Sequence, residues 1–92
     1  MITVNFYATV RMIVGRKQLT VSSKAFDVAG LLEECETVTG KRFINKLLNE
    51  AGAIIPGVII LVDGINIHHL DGTASAVKDG AVVSVFPPGG GG

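Results

Sequence analysis

The sequence has little cysteine, little charge and no long apolar run. Cys35 is its single cysteine, which excludes an internal disulfide and a cysteine-based zinc or iron–sulfur site. Lys and Arg number 8, as do Asp and Glu, so the basic stripe of a nucleic-acid-binding protein is missing. The longest strongly apolar run, Val58–Val62, is far too short to span a membrane. No basic region followed by a long apolar stretch opens the sequence, so we expect no signal peptide and a cytoplasmic protein.

What is abundant is apolar surface. Apolar residues make up 48% of the 92 residues and charged residues only 17%, whereas about 25% is typical of a soluble domain. A chain of this length forms one domain with a modest core. Such a core leaves part of the apolar surface outside, so we expect an exposed apolar patch that a partner covers.

The N-terminal third predicts two strands. Ile2, Val4 and Phe6 alternate with polar residues, which is the pattern of a strand with one buried face. Gln18–Ser22 predicts a second strand, with Leu19 and Val21 pointing inward. We interpret Thr9–Lys17 between them as a loop, and the two strands as an antiparallel hairpin.

One amphipathic helix follows. Asp27 is a candidate N-cap, and Gly40 ends the helical region. The predicted buried stripe has helical spacing and consists of Val28, Leu31, Leu32, Cys35 and Val38. A short second helix is predicted over Phe43–Glu50, with Phe43 and Leu47 pointing inward and possible support from Ile44 and Leu48.

The C-terminal half predicts the rest of a sheet. Val58–Val62 indicates a central strand that is covered on at least part of both faces, and Asp63-Gly64 predicts a tight hairpin after it. Ala81–Phe86 is the last strand, which we expect beside the first. These elements predict an α+β fold, a β-grasp (ubiquitin-like) roll. It has a mixed sheet of about five strands, one main helix across one face and a short second helix.

The sequence ends in a tail that cannot join the core. Pro87 and Pro88 interrupt the last strand, and Gly89, Gly90, Gly91 and Gly92 have no side chain to bury. We therefore divide the chain into a β-grasp domain, residues 1–86, and a flexible glycine tail, residues 87–92. A disordered end or a cloning scar is the alternative interpretation of the tail alone.

Three stretches resemble the ThiS/MoaD sulfur-carrier family, and within it the MoaD-type small subunit of molybdopterin synthase. The first is the run from Val4 to Arg11 followed by Val14-Gly15, and the second is the run Val77–Val83. The third is Phe86-Pro87-Pro88 followed by four residues ending in Gly91-Gly92. The sequence departs from the family pattern at Gly89 and Gly90, where the family usually has two non-glycine residues.

The resemblance implies a carrier that takes part in catalysis through its tail. A MoeB/ThiF-type adenylating enzyme would use ATP to adenylate the Gly92 carboxylate, and a sulfur donor protein would convert it to a thiocarboxylate. A MoaE-type large subunit would then use that sulfur to make the dithiolene of molybdenum or tungsten cofactor. The chain itself would bind no cofactor and no metal, and the sequence contains no phosphate-binding glycine loop followed by a helix.

The outer face of the sheet is the predicted docking surface for these partners. Tyr7, Val82 and Phe86 have the parity opposite to the core residues, and Tyr7 and Phe86 match the family's aromatic docking positions; Pro87 and Pro88 extend the surface. The alternative is that a loop or helix of the same chain covers them. Arg11, Arg16 and Lys17 either help to dock an acidic partner or belong to a solvated loop.

Other candidates and other functions stay open. Cys35 is interpreted as a core residue rather than a persulfide site, and His68-His69 as a surface loop rather than a metal site. The same tail also suits sulfur transfer to thiamine thiazole or tRNA, or a ubiquitin-like modifier joined to lysines. A β-grasp interaction module with an inert tail is the remaining alternative.

Overall fold

The computed structural model describes residues 1–22 and 26–89. Within these ranges the strands and helices follow one another in this order: β1 (Ile2–Phe6), α1 (Ala8–Val14), β2 (Gln18–Val21), β3 (Phe26–Asp27), α2 (Val28–Thr39), β4 (Ile59–Val62), β5 (Ile65–Asn66), β6 (Ala76–Val77) and β7 (Val82–Phe86). Short 3₁₀ helices cover Ile44–Lys46, Ile67–His69 and Gly72–Ala74.

The main sheet has five strands in the order β2-β1-β7-β4-β5. The pair β1 and β7 is parallel, whereas the other neighbours are antiparallel. The mixed sheet, the β1–β2 pairing and the place of the last strand beside the first are therefore confirmed. Strand β4, which lies within the run Val58–Val62, has β7 on one side and β5 on the other, so the prediction of an interior strand there is confirmed. The central strand of the five is β7.

The core lies between one face of this sheet and α2. Val4 lies opposite Val83 and Phe6 opposite Val85, and all four side chains are buried. The helix contributes its predicted stripe, since Val28, Leu31, Leu32 and Cys35 are fully buried in the same cluster. With one main helix across a mixed sheet, the molecule has the α+β, β-grasp architecture that the sequence predicts.

Both ends of α2 are as predicted, but its last apolar residue is not. The Asp27 carboxylate accepts a hydrogen bond of 2.7 Å from the Gly30 N–H, and Gly40 ends the helix with a φ of 70°. Val38 is 52% exposed, so its assignment to the buried stripe is wrong. At about 100° per residue, a position ten residues after Val28 is rotated by about 80° away from it.

The segment that follows β1 is a helix, not the predicted loop. Residues Ala8–Val14 form α1, which buries Val10 and Val14 and ends at Gly15 with a φ of 79°. The β-branched residues of this short segment have modest helix propensity. Its helical state therefore depends on packing against the sheet, which the local sequence does not display.

The second helix predicted over Phe43–Glu50 is reduced to one 3₁₀ turn. Phe43 and Leu47 are fully buried as predicted, and Ile44–Lys46 alone has helical geometry. Leu48 leaves the helical path because it forms a β-bridge with Ile54. The second α-helix of the fold is thus α1, at the other end of the chain.

The Asp63-Gly64 hairpin is confirmed. Val62 lies opposite Ile65, and the two loop residues have φ values of 50° and 83°, as a type I′ turn requires. The Asp63 carboxylate also accepts a hydrogen bond of 2.9 Å from the Val82 N–H. This bond ties the hairpin to the start of the central strand.

Candidate functional site

The C-terminal tail leaves the domain from the end of the central strand. After Phe86, the last residue of β7, Pro87 is buried, whereas Pro88 and Gly89 are exposed. We call residues 86–89 the tail root. Gly90, Gly91 and Gly92 lie outside the described residues, so the predicted role of Gly92 stays a prediction. Because β7 has a neighbour on each side, elements on both sides contact the tail root.

On the first side, the ring of Tyr7 stacks on the ring of Phe86. The ring centroids are 4.3 Å apart, and the planes are inclined by 10°. Parallel pairing explains the contact, because Phe6 lies opposite Val85 and both strands end at the same edge. Tyr7 remains 36% exposed. The stack therefore presents an aromatic surface directly beside the tail.

The backbone just after Tyr7 is strained. Ala8 has a φ of 51°, in the left-handed region that residues with a Cβ avoid. This conformation turns the chain from β1 into α1, and Tyr7 lies at that turn, between the two elements. The strain costs about 1 kcal/mol, which the burial of the helix behind it offsets.

On the second side, a turn before β4 contacts the tail root. Ile59 lies opposite Phe86, and continuing this antiparallel register brings Gly57 beside Pro88. A methyl group on Gly57 would lie 3.5 Å from Cα of Pro88 and 3.6 Å from N of Gly89. Pro56-Gly57 is recognisable in the sequence as a turn, but nothing local shows which strand that turn faces, so this contact escaped sequence analysis.

The outer face of the sheet carries an exposed apolar patch. Its members, which we call the outer patch, are Tyr7, Ile59, Leu61, Val82 and Phe86. Of these, Ile59 is 43% and Val82 is 42% exposed, and Leu61 and Phe86 are half-buried. No described loop or helix covers the patch fully. Residues Tyr7, Val82 and Phe86 lie on the face that their parity predicts, while their docking role stays a prediction.

Two members of this patch escaped sequence analysis. Ile59 and Leu61 belong to the run that was interpreted as covered on at least part of both faces, whereas Val58, Ile60 and Val62 are the residues of the run that are buried in the core. The sequence does show that Ile59 and Leu61 point to the same face of their strand. It does not show that this face is exposed, because both faces of a continuous apolar run are apolar.

Basic residues lie close to the aromatic stack. A shallow notch of about 240 Å³ is lined by Asn5, Phe6, Tyr7, Arg11, Lys17 and Gln18. The Arg16 Nε donates a hydrogen bond of 3.0 Å to the Gln18 carbonyl oxygen. The notch is therefore positively charged on the side of the outer patch where Tyr7 lies, which suits an acidic group on a partner.

The comparison with known proteins decides the family. The sequence profile of the ThiS family matches residues 4–92. The chain belongs to the ThiS family. This family comprises ubiquitin-like sulfur carriers and modifiers. The chain is 41% identical over 92 residues to Small archaeal modifier protein 3 of Haloferax volcanii, with 95% of this chain and 94% of the relative covered.

Solved structures of related proteins agree with the fold. A Haloferax volcanii protein of known solution structure has 38% sequence identity to this chain. The two structures have a TM-score of 0.74, and the match covers 99% of this chain and 85% of that one. A chain of the Amycolatopsis orientalis BexX/CysO complex has a TM-score of 0.81 over 100% of both chains, at 22% identity. The second likeness shows the β-grasp fold alone.

Cys35 is a core residue of this ThiS-family domain, as predicted. Its side chain is fully buried. Burial, with a smaller contribution from the charge of Glu34, raises the pKa of the Cys35 thiol from 9.0 to about 12. The thiol therefore stays protonated at neutral pH, which is unfavourable for a nucleophile or persulfide carrier.

The remaining candidates have the geometry of ordinary surface residues. His68 and His69 are exposed, at the end of a 3₁₀ turn. The Asn66 side chain caps this turn, because its Oδ1 accepts a hydrogen bond of 3.0 Å from the His68 N–H. Over residues 1–22 and 26–89, no three His, Cys, Asp or Glu side chains come together as a metal-binding group. Over the same ranges, no helix is long and apolar enough to cross a bilayer.

Proposed function

We propose that this ThiS-family chain is a MoaD-type carrier that delivers sulfur from its C-terminal glycine to molybdopterin synthase. The observation that carries the proposal is the position of the tail root. It leaves the central strand beside the outer patch, so a partner docked on the patch lies next to the departing tail. The four glycines that follow are narrow enough to enter a partner's active site.

The first step activates the tail. An oxygen of the Gly92 carboxylate attacks the α-phosphorus of ATP on an adenylating enzyme of the MoeB/ThiF type, and pyrophosphate leaves. Sulfur at the oxidation level of sulfide, delivered by a donor protein, then attacks the carbonyl carbon and displaces AMP. The product is a thiocarboxylate on Gly92. This chain contributes the reacting carboxylate, and the catalytic side chains belong to the enzyme.

The second step delivers the sulfur. The thiocarboxylate is a tethered nucleophile, so its concentration in a MoaE-type active site is set by the tail and not by diffusion. There it reacts with the pterin precursor on the way to the dithiolene that holds molybdenum or tungsten. In this proposal Gly92 is the reacting residue and Gly89, Gly90 and Gly91 form the tail. Tyr7, Val82, Phe86 and Pro88 contact the partners, whereas Pro87 is buried in the domain and offers them no free surface.

The exposure of the outer patch supports the docking part of the proposal. Large apolar side chains that stay partly exposed in the free domain are typical of the centre of a binding surface. The basic notch at Tyr7 adds complementarity to an acidic rim.

A second function, covalent modification of proteins, is favoured by one specific observation. The curated relative that is 41% identical to this chain is named as a modifier protein. The same adenylated Gly92 then reacts with a lysine amine, which forms an isopeptide bond as AMP leaves. The two functions share the first step and differ in the group that takes over the activated carbonyl carbon.

Reconstitution distinguishes these two functions. The purified chain is incubated with ATP, an adenylating enzyme, a sulfur donor, a MoaE-type large subunit and the pterin precursor. Formation of the dithiolene product, lost when Gly92 is deleted, supports the carrier function. Absence of product from a chain that does acquire the thiocarboxylate contradicts delivery to molybdopterin. In a parallel experiment the chain is expressed in cells. Isopeptide adducts on other cellular proteins, lost when Gly92 is deleted, support the modifier function.

A further inference from the structure

The turn that precedes β4 is built around a glycine that faces the tail. The Val58 N–H donates a hydrogen bond of 3.1 Å to the Ile55 carbonyl oxygen, which closes a four-residue turn. Pro56 occupies its second position and Gly57, with a φ of 92°, its third, which is the pattern of a type II turn. The turn therefore requires a residue that tolerates positive φ at the point where it meets the tail root.

The gap between Gly57 and the tail root is about the width of one methyl group. A methyl group on Gly57 would meet Pro88 and Gly89 at van der Waals distance, 3.5 to 3.6 Å away. By contrast, Gly52 has a φ of 79° and a methyl group on it would have no neighbour within 4 Å. Gly52 and Gly57 thus both have a positive φ. Of the two, only Gly57 lies beside the tail root.

Gly57 lies beside the tail at Pro88, directly before the four glycines. Pro88 is the last residue of the sequence with a fixed φ, because every residue after it is a glycine. Four residues reach about 14 Å when extended, and glycine restricts the backbone least of all residues. Gly57 therefore lies beside the last residue whose own ring limits the direction of the tail.

We propose that the turn Ile55–Val58 is a positioning element that aims the tail at the active site of the activating enzyme, with Gly57 as its key residue. This inference rests on the proposed function. Docking on the outer patch decides how often the domain is bound. The turn decides in what fraction of bound complexes the Gly92 carboxylate reaches the α-phosphate of ATP. Gly57 acts through Pro88 and touches no reacting atom.

The test compares two matched substitutions, Gly57→Asn and Gly52→Asn. Asparagine tolerates positive φ better than other residues with a Cβ, so both variants are expected to fold with similar stability. Only at residue 57 does the new side chain meet the tail root. The measurement is the steady-state rate of tail adenylation by the activating enzyme, followed by pyrophosphate release at varied carrier concentration.

We expect Gly57→Asn to lower kcat about tenfold, because small misplacements of a reacting group have large effects on rate. Its KM should stay within about twofold of wild type, since the outer patch is intact. Gly52→Asn should leave both parameters unchanged. Equal kinetics of the two variants, or a change confined to KM in Gly57→Asn, overturns the inference.

An NMR measurement on the same proteins separates this inference from the proposed function. The wild-type domain should show an Overhauser contact between the α-protons of Gly57 and Pro88, and the Gly89 amide signal should shift in Gly57→Asn alone. Absence of that contact overturns the packing on which the inference depends. A wild-type chain that shows the contact but is never adenylated overturns the proposed function and, with it, the catalytic role of the turn.

Discussion

The outer patch makes a quantitative prediction for Ile59. In the free domain 43% of this side chain is exposed. Replacing isoleucine by alanine removes three carbon atoms, worth about 2.4 kcal/mol on complete burial. A partner that covers the exposed share gains about 1 kcal/mol from those atoms. Ile59→Ala should therefore weaken partner binding about fivefold.

Ile65 supplies the matched control. It follows Ile59 by one hairpin and is 50% exposed, but it lies opposite the buried Val62, so its side chain is on the other face of the sheet. Ile65→Ala makes the same chemical change and removes a similar buried share. Both variants should lose about 1.3 kcal/mol of folding stability, which chemical denaturation measures.

The assay is isothermal titration of each variant with the activating enzyme, at a temperature where both variants are folded. The expected result is a dissociation constant raised about fivefold for Ile59→Ala and unchanged for Ile65→Ala. Equal weakening by both variants, or no weakening by Ile59→Ala, would refute the assignment of the outer face as the docking surface.

Two further predictions concern the domain itself. Ala8→Gly should raise the free energy of unfolding by about 0.5 kcal/mol, because it relieves the left-handed strain of Ala8. Ala29→Gly, in the first turn of α2, should lower the free energy of unfolding by about 0.5 kcal/mol. Denaturant titrations in which Ala8→Gly destabilises the domain would contradict the strain. For Cys35, burial raises the pKa to about 12 in the folded domain, against 9.0, so ionisation favours the unfolded chain between those values. The stability of the native protein should fall as the pH rises above about 9, and more steeply than that of Cys35→Ala; equal slopes in parallel pH titrations would contradict the raised pKa.

Periodicity in the sequence was sufficient for much of the fold. Alternation located β1 and the face of β7, helical spacing located the core of α2, and the Asp63-Gly64 pair located the hairpin. These signals share a physical basis, because each depends on a repeat or a turn conformation that neighbouring residues determine. They also predicted which face of the sheet carries Tyr7 and Phe86.

The features that escaped prediction depend on contacts between distant segments. Helix α1 is stabilised by burying Val10 and Val14 against the sheet, and its short β-branched sequence carries no signal of that packing. Likewise, Gly57 reaches the tail only because β4 runs antiparallel beside β7. The sequence thus predicted the aromatic residues of the candidate site. The residues on the other side of the tail root, from Gly57 to Ile59, were identified only in the folded structure.

The most direct test of the account is the intact mass of the protein purified without a C-terminal tag from the cells that make it. The account predicts a population whose mass is raised by the replacement of one oxygen by one sulfur, and its loss when Gly92 is deleted. An unmodified mass that stays unchanged after incubation with ATP, the activating enzyme and a sulfur donor would contradict the assignment of the tail as a sulfur carrier.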